Sequence, residues 1–365
     1  DQILIKYGSE PEQMLEELLD KAQIVDDIPK KSALIGIKPN LVLAKPSEFG
    51  ATTCPRLVES LVVYLKTRGF DNIVILEGSW VGDRTPKAFK VCGYDEISKR
   101  HDIPLIDLQR DDVESRMVEG EKINYCKKAA SVDYMINVPV LKGHCQTKIT
   151  CALKNMKGCI PDKEKRRFHT MRLHKPIAYL NKVIKQNLII VDGIIGDLNF
   201  EEGGNPVQMN RVIVGKDPVL IDCYIAQLLG YDKEDIPYIR MSEALGVGSS
   251  RLDDRNILEL NKDNSITMLP KTGLVKQLEK HIVEDMACSS CYASLIHALD
   301  RLKDRGELDK IKGKIHIGQG YKGKTSTGTG IGVCTKGFTK NVEGCPPKAK
   351  DILDFLLDDI KKEGR

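Results

Sequence analysis

The sequence predicts an α/β fold in which a mostly parallel sheet is flanked by helices, followed by a small C-terminal βαβα module. Short apolar, β-branched runs alternate with segments of helical periodicity from residue 32 onward. A polar stretch at 262–272 interrupts this alternation, which restarts near residue 281. The 365 residues are enough for more than one domain. We therefore predict a large α/β domain over residues 1–262 and a second domain over residues 274–365.

The predicted elements of the large domain begin with a strand within residues 33–43 and a helix that starts at Pro55. Proline is favoured in the first turn of a helix, and Gly69 follows the end of this one. The next apolar run, at 72–76, completes a βαβ unit and so favours parallel strands. The remaining predicted elements are strands at 134–141, 188–191 and 211–214 and a helix at 218–229.

The C-terminal module is predicted from a second series of elements. In chain order they are a strand at 282–287, a helix at 292–305, a strand at 314–317 and a helix at 348–361. The apolar runs of the strands are short, and the last helix has an apolar stripe along one face. This order predicts a small βαβα domain that packs both helices on its sheet.

Four of the eleven cysteines lie in this module, at Cys288, Cys291, Cys334 and Cys345. Each follows a predicted strand or precedes a predicted helix. Helix amino termini stabilise thiolates, and glycine backbone lets N–H groups approach sulfur closely. Four thiolates around one centre are the ligands of an iron–sulfur cluster, and they also suit a structural zinc ion.

The four positions resemble the ligands of the proximal iron–sulfur cluster in the small subunit of nickel–iron hydrogenases and in the related subunit of respiratory complex I. The shared features are Cys-x-x-Cys at a strand-to-helix turn, Gly-x-Cys, and Gly-Cys-Pro-Pro before a helix. The resemblance implies a [4Fe-4S] cluster and a role in electron transfer. Neither NAD nor flavin is predicted, and the glycines of 328–332 lack the spacing of a dinucleotide fingerprint.

A basic segment is inserted into the large domain at residues 142–175. It holds ten Lys or Arg residues against two acidic ones, although the net charge of the whole chain is only +4. Such a charge run often forms no more than a solvated surface. Here lysine is mixed with histidine, threonine and asparagine, a donor set suited to carboxylate or phosphate. We therefore predict an anionic ligand, whereas the 5% aromatic content argues against nucleic acid.

The candidate site residues of the large domain carry charges or hydrogen-bonding groups in predicted loops. The predicted catalytic residues are Lys142, His144, Glu77 and Asp192. The predicted substrate-binding residues are Lys38, Thr147, Lys148, Lys154 and Asn155. Asp222 is a further candidate acid, base or metal ligand, and each of these carboxylates can instead cap a helix or pair on the surface.

Three cysteines of the basic segment, Cys145, Cys151 and Cys159, are candidates for a second cluster or for reactive thiols. Neighbouring basic residues lower the pKa of a thiol and so increase its reactivity. The alternative is that they are buried as small apolar side chains, which is the common fate of free cysteine. The sequence leaves both interpretations open.

Several phrases of the large domain resemble the bacterial and archaeal family known as domain of unknown function 362, over roughly residues 33–230. They include Lys38-Pro-Asn, Glu77-Gly-Ser, Lys142-Gly-His and Lys154-Asn-Met-Lys-Gly. Members of this family often carry, or sit beside, iron–sulfur modules, so the resemblance implies electron delivery. Many members have a ferredoxin-type cysteine run, which this chain lacks. The hydrogenase-like module stands in its place.

Together these patterns predict an iron–sulfur oxidoreductase that passes electrons from the C-terminal cluster to an anionic substrate or a partner redox centre at the large domain. The expected electron donor is a protein such as ferredoxin. The alternative is a zinc-stabilised, non-redox α/β enzyme or binding protein for a phosphorylated or carboxylated ligand. We expect a cytoplasmic protein from an organism that lives with little oxygen, without a membrane span or secretory signal.

Overall fold

The computed structural model describes residues 2–261 and 273–363, so the predicted linker at 262–272 lies outside the described residues. The strands of the described residues are β1 (Ile3–Tyr7), β2 (Ile35–Pro39), β3 (Ile73–Glu77), β4 (Leu105–Asp107), β5 (Val113–Val118), β6 (Glu121–Cys126), β7 (Tyr134–Val138), β8 (Lys142–His144), β9 (Lys148–Thr150), β10 (Leu188–Asp197), β11 (Pro206–Gly215), β12 (Ile257–Glu259), β13 (Ile282–Glu284), β14 (Ile315–Ile317), β15 (Ser326–Ile331) and β16 (Phe338–Val342). Their α-helices are α1 (Pro11–Lys21), α2 (Ile24–Asp27), α3 (Pro55–Thr67), α4 (Thr85–Val91), α5 (Tyr94–His101), α6 (Lys127–Ala130), α7 (Ala152–Asn155), α8 (Asp162–Thr170), α9 (His174–Val183), α10 (Pro218–Leu228), α11 (Pro237–Ala244), α12 (Leu274–Leu278), α13 (Ser289–Asp304) and α14 (Ala349–Glu363).

The chain divides into two compact units. Among the described residues, the ranges of the first unit are 2–144, 149–166 and 174–261. The ranges of the second unit are 145–148, 167–173 and 273–363. Two short stretches of the basic segment therefore belong to the second unit, whereas the predicted domains assign the whole segment to the first.

The sheet of the first unit has eight strands, in the order β12-β1-β11-β10-β7-β2-β3-β4. Neighbouring strands are parallel throughout except for β1 with β11 and β10 with β11. The predicted fold class, an α/β protein with a mostly parallel sheet, is confirmed. The antiparallel pair of β10 and β11 forms because a short loop, residues 198–205, joins these two long strands.

The core of the first unit lies between this sheet and the helices that cover it. β2 and β7 are buried along their whole length, as parallel strands covered on both faces should be. α3 begins at Pro55, as predicted, and buries Leu57, Leu61 and Leu65 at helical spacing. Because β2, β3 and β7 run in one direction, their carboxyl ends meet at one edge of the sheet.

The second unit contains a four-stranded parallel sheet, β13-β14-β15-β16, with the helices α13 and α14. The prediction of a small C-terminal module is confirmed, but the sequence analysis missed β15 and β16. β15 buries only Gly330 and Ile331, and β16 buries only Phe338 and Val342. Strands with so few buried apolar side chains leave little alternation to detect.

Several of the longer helices present an apolar stripe on one side and charged residues on the other. α1, for example, buries Met14, Leu15, Leu18 and Leu19 on one face. Within residues 2–261 and 273–363, none of the helices is both long enough and apolar enough to cross a membrane.

Candidate functional site

Polar side chains of the first unit collect at the carboxyl edge of its parallel strands. Lys38 lies near the end of β2, Glu77 ends β3, and Lys142 follows β7 after a three-residue connection. Sites in open α/β sheets form at this edge, because successive loops leave the strands there. The edge brings together most of the charged residues that the sequence selected in this unit.

Lys38 and Glu77 form a buried ion pair. The ammonium lies 2.9 Å from the carboxylate, and neither side chain is more than 3% exposed. The Glu77 carboxylate also accepts the backbone N–H groups of Leu41 at 2.9 Å and Gly78 at 2.7 Å. Lys38 donates a further hydrogen bond to the carbonyl of Pro39 at 2.9 Å. A buried pair of charges requires such additional partners, and here the protein itself supplies them.

Backbone at Gly158 closes over this ion pair. A Cβ at this position would collide with Glu77 Oε1 and lie 2.6 Å from Lys38 Nζ, so a larger residue would displace the ion pair. The next residue, Cys159, is fully buried, and burial raises the pKa of its thiol to about 12. The Cys159 thiol is therefore protonated at neutral pH.

A second ionic cluster surrounds Glu201, which the sequence analysis did not select. Glu201 Oε1 lies 3.0 Å from His144 Nε2, and Glu201 Oε2 lies 2.6 Å from Lys154 Nζ. Lys142 Nζ donates to the backbone carbonyl of Glu201 at 2.9 Å. Three residues that the sequence predicts to act on an anion thus surround a residue of the protein itself. We call His144, Lys142, Lys154 and Glu201 the Glu201 cluster.

Burial controls the protonation of the Glu201 cluster. It lowers the pKa of Lys142 to about 7 and that of His144 to about 4, although Glu201 opposes both shifts. Burial alone would raise the pKa of the Glu201 carboxyl, but His144 and Lys154 hold it well below its usual value. At neutral pH the cluster therefore combines a carboxylate with a neutral imidazole, whose Nε2 lies 3.0 Å from Glu201 Oε1.

A chain of buried carboxamides begins at Lys142. From donor to acceptor it runs from Lys142 through Asn40, Asn155, Asn137 and Gln186 to Asn181. The successive bonds measure 3.1, 2.8, 2.7, 2.6 and 2.6 Å. Asn155, which the sequence predicts to orient a ligand, uses both its oxygen and its amide group within this chain.

The other predicted carboxylates of the first unit accept hydrogen bonds from backbone N–H groups. Asp192 accepts the N–H of Cys54, the residue before α3, at 2.7 Å. Asp222, on α10, accepts the N–H groups of Ala152 at 2.8 Å and Leu153 at 3.2 Å, at the start of α7. Both residues stabilise helix starts in this structure, which is the alternative role that the sequence left open.

Asp222 should make the stability of the first unit depend on pH. Burial raises its pKa from 3.8 to about 7, so folding favours the protonated carboxyl. The stability that this group contributes is complete below about pH 4 and is lost as the pH rises through about 7. Urea unfolding between pH 4 and pH 8 measures this change. The variant Asp222→Asn, which cannot ionise, is the control and should show a smaller decline over that interval. An equal decline in both proteins would contradict the assignment.

In the second unit, the four predicted cysteine ligands line one pocket. It contains about 290 Å³ of empty space, part of it open to solvent. Cys288 directly precedes α13 and Cys291 lies in its first turn, whereas Cys334 follows β15 and Cys345 precedes α14. The backbone around the thiols includes Gly318, Gly332 and Gly344.

Two thiols of this pocket, those of Cys288 and Cys291, are protonated at neutral pH when no metal is bound. Burial, with a smaller contribution from the neighbouring cysteines, raises the pKa of Cys291 to about 12 and also raises that of Cys288. Gln319 Nε2 donates to Cys288 Sγ at 3.5 Å. In the part of the chain that the structure describes, no group of three or more His, Cys, Asp or Glu side chains is arranged to hold a metal ion. The four thiols share the pocket without meeting at one point.

The turn that carries Cys288 and Cys291 is held by the stretch 145–148. Gln146 accepts a hydrogen bond from Ser289 Oγ at 2.9 Å, between the two cysteines. Lys148 pairs with Glu279 at 3.0 Å within the same unit. The structure therefore places Lys148, predicted to bind the substrate, in the second unit, and Thr147 lies there as well.

The three cysteines predicted for a second cluster have different surroundings. Cys145 belongs to the second unit, where its Sγ lies 3.9 Å from the carbonyl of Ser289. In the first unit, Cys151 is buried beside Asp222, and burial raises its pKa well above the usual value. Cys159 lies beside the buried ion pair instead. Cys151 and Cys159 match the alternative of buried apolar side chains, and the second cluster stays a prediction.

Glu201 and Gln146 are the residues that the sequence analysis missed. The rule that selected Glu77, a polar residue after a strand of the parallel sheet, also applies to Glu201, because β10 is parallel to β7. It failed because β10 was predicted to end at residue 191, whereas it continues to Asp197. Nothing in the sequence around Gln146 indicates its contact with Ser289.

Comparison with known proteins gives a family match, a related sequence and a related structure. Residues 35–227 match the family described as "Domain of unknown function (DUF362)". The thylakoid-associated protein sll1697 of Synechocystis is 28% identical over 162 residues, which cover 42% of this chain and 50% of that protein. The structure of the lactate racemase apoprotein from Thermoanaerobacterium thermosaccharolyticum gives a TM-score of 0.40 at 15% identity, covering 52% of this chain and 50% of that chain. The chain spans about half the length of each of these two proteins.

Proposed function

The chain belongs to the family described as domain of unknown function 362, and from this premise we propose that it is an iron–sulfur redox protein. Cys288, Cys291, Cys334 and Cys345 hold a [4Fe-4S] cluster in this proposal. The first unit binds an anionic substrate or a partner redox centre. One observation supports the proposal above all: thiols from three separate stretches of the sequence line one glycine-rich pocket.

The donor set of this pocket fits a cluster better than a single ion. A cluster takes one thiolate per iron, so four thiols can surround it without meeting at a point. Zinc requires sulfur atoms about 2.3 Å from the metal, and its thiolates must therefore converge. Backbone without side chains at Gly318, Gly332 and Gly344 allows N–H groups to approach the cluster sulfurs. When bound, the cluster supplies electrons one at a time.

The side chains of the Glu201 cluster then provide the anion site of the first unit. Lys154 supplies positive charge, and His144 Nε2 lies within hydrogen-bonding distance of the anion position that Glu201 occupies. Lys38 and Glu77 pair with each other at the same edge of the sheet. A small donor protein such as ferredoxin is the proposed partner. The cytoplasmic location stays a prediction.

Anaerobic purification followed by iron, sulfide and zinc analysis tests this proposal. We expect a brown protein with about four irons and about four sulfides per chain, whose visible absorption is bleached by dithionite. A colourless protein with about one zinc per chain would overturn the proposal. That outcome would support the alternative, a zinc-stabilised, non-redox enzyme or binding protein.

A further inference from the structure

The carboxylate of Glu201 is held in the way that a bound carboxylate ligand is held. Each of its two oxygens meets a different donor, His144 Nε2 at 3.0 Å and Lys154 Nζ at 2.6 Å. Lys154 donates to one oxygen and His144 Nε2 lies within hydrogen-bonding distance of the other, an arrangement that suits a carboxylate. His144 and Lys154 therefore form a carboxylate-binding site, which we call the cradle, and the side chain of Glu201 occupies it.

The cradle is reached from the solvent through the position of Glu201. The side chain of His144 is fully buried, that of Lys154 is 6% exposed, and that of Glu201 is 22% exposed. Glu201 lies on the connection 198–205, whose residues Gly203 and Gly204 both have positive φ. The donors thus lie beneath the carboxylate, and a ligand that displaces Glu201 would enter along the same path.

Removal of Glu201 would leave uncompensated positive charge. Lys154 would keep only the hydroxyl of Thr150, at 3.3 Å, as a hydrogen-bond acceptor. Lys157 is a further basic group that interacts with Glu201 electrostatically. A buried ammonium without an anion is costly, so an open cradle attracts one strongly.

The number of available donors favours a carboxylate over a phosphate. The ammonium of Lys142 has three N–H groups, and they already bond to Asn40 Oδ1, the Ala51 carbonyl and the Glu201 carbonyl. The cradle therefore offers one imidazole N–H and one ammonium. These donors match the two oxygens and the single negative charge of a carboxylate, whereas a phosphate dianion presents three oxygens and more charge.

We propose that the Glu201 cluster is the binding site for a small carboxylate, and that Glu201 occupies this site until the ligand displaces it. The inference rests on the proposed function, because it gives the chemical class of the anionic ligand in the first unit. Glu201 then acts as a built-in competitor, and the native protein binds the ligand only for the fraction of time that the cradle is open.

Rescue of Glu201→Ala by acetate tests the inference in the full-length protein. The substitution should lower the melting temperature of the first unit, because Lys154 loses its counterion. Sodium acetate should then raise the melting temperature in a saturable manner. Sodium phosphate and sodium chloride at the same ionic strength should not. The control is Glu202→Ala, which removes the same charge from the same connection and should show no acetate effect.

A second variant covers the case in which Glu201→Ala does not fold. Glu201→Gln keeps the size of the side chain but removes its charge, and it should bind acetate at least about tenfold more tightly than the native protein in calorimetry. Equal acetate binding by the two proteins, or rescue of Glu201→Ala by phosphate as strong as rescue by acetate, would overturn the inference. Iron analysis of the same samples separates the two proposals, since acetate binding does not require a cluster.

Discussion

The variant Cys345→Ala is expected to lose the visible absorption of the anaerobically purified protein, together with most of its iron and sulfide. A cluster with one thiolate per iron cannot keep its fourth iron bound when that ligand is removed. Loss of mere second-sphere partners already lowers metal affinity about 10–100-fold, so loss of a ligand should cost at least as much. Absorption spectra and iron analysis measure the effect.

Cys345 is exposed, and replacing an exposed side chain hardly disturbs packing. A loss of iron in this variant would therefore result from the missing ligand and not from misfolding. The matched control is Cys54→Ala, a cysteine of the first unit that does not line the pocket. This control should keep the iron content and the spectrum. Full iron and an unchanged spectrum in Cys345→Ala would show that Cys345 is not a ligand.

The variant Glu77→Ala is expected to lower the free energy of unfolding of the first unit by about 3–5 kcal/mol. It leaves the ammonium of Lys38 buried with the Pro39 carbonyl as its remaining acceptor. It also removes the acceptor of the Leu41 and Gly78 N–H groups. Urea unfolding followed by circular dichroism measures the loss.

Two further variants identify the cause of that loss. Glu59→Ala removes a partly exposed carboxylate that pairs with Arg100, and it should cost less than about 1 kcal/mol. The double variant Lys38→Met with Glu77→Leu removes both charges, so it should recover the part of the loss that the unpaired ammonium causes but not the part that the Leu41 and Gly78 N–H groups cause. If Glu77→Ala lowers the free energy of unfolding no more than Glu59→Ala does, the buried ion pair does not stabilise the first unit.

The sequence predicted those parts of the fold in which buried apolar residues form a continuous run or recur at a regular spacing. β2 and β7 are buried along their length, and α3 has proline at its start and leucines at helical spacing. β15 and β16 were missed because each strand buries only two residues, and glycine occupies two positions of β15. Burial on a single short face leaves too few apolar residues for a periodicity to appear.

The sequence predicted those residues of the candidate site whose position follows from the order of the strands. Lys38, Glu77 and Lys142 lie where strands of one direction end, and this rule needs only the order of strands. The partners of these residues were not predictable, because they depend on tertiary contacts. Asp222 faces the start of α7, 70 residues earlier in the chain, and its carboxylate accepts hydrogen bonds from two N–H groups there.

The buried carboxamides that lead from Lys142 to Asn181 all point the same way. Every amide group donates away from Lys142, and every oxygen is turned toward it. The dipoles of the series therefore add, with their negative ends directed at the ammonium, and each bond polarises the next. Reversal of one carboxamide would break the bonds on both of its sides, so the series has a fixed polarity. A substitution at Asn181, on α9, should consequently change the proton affinity of Lys142 at the other end.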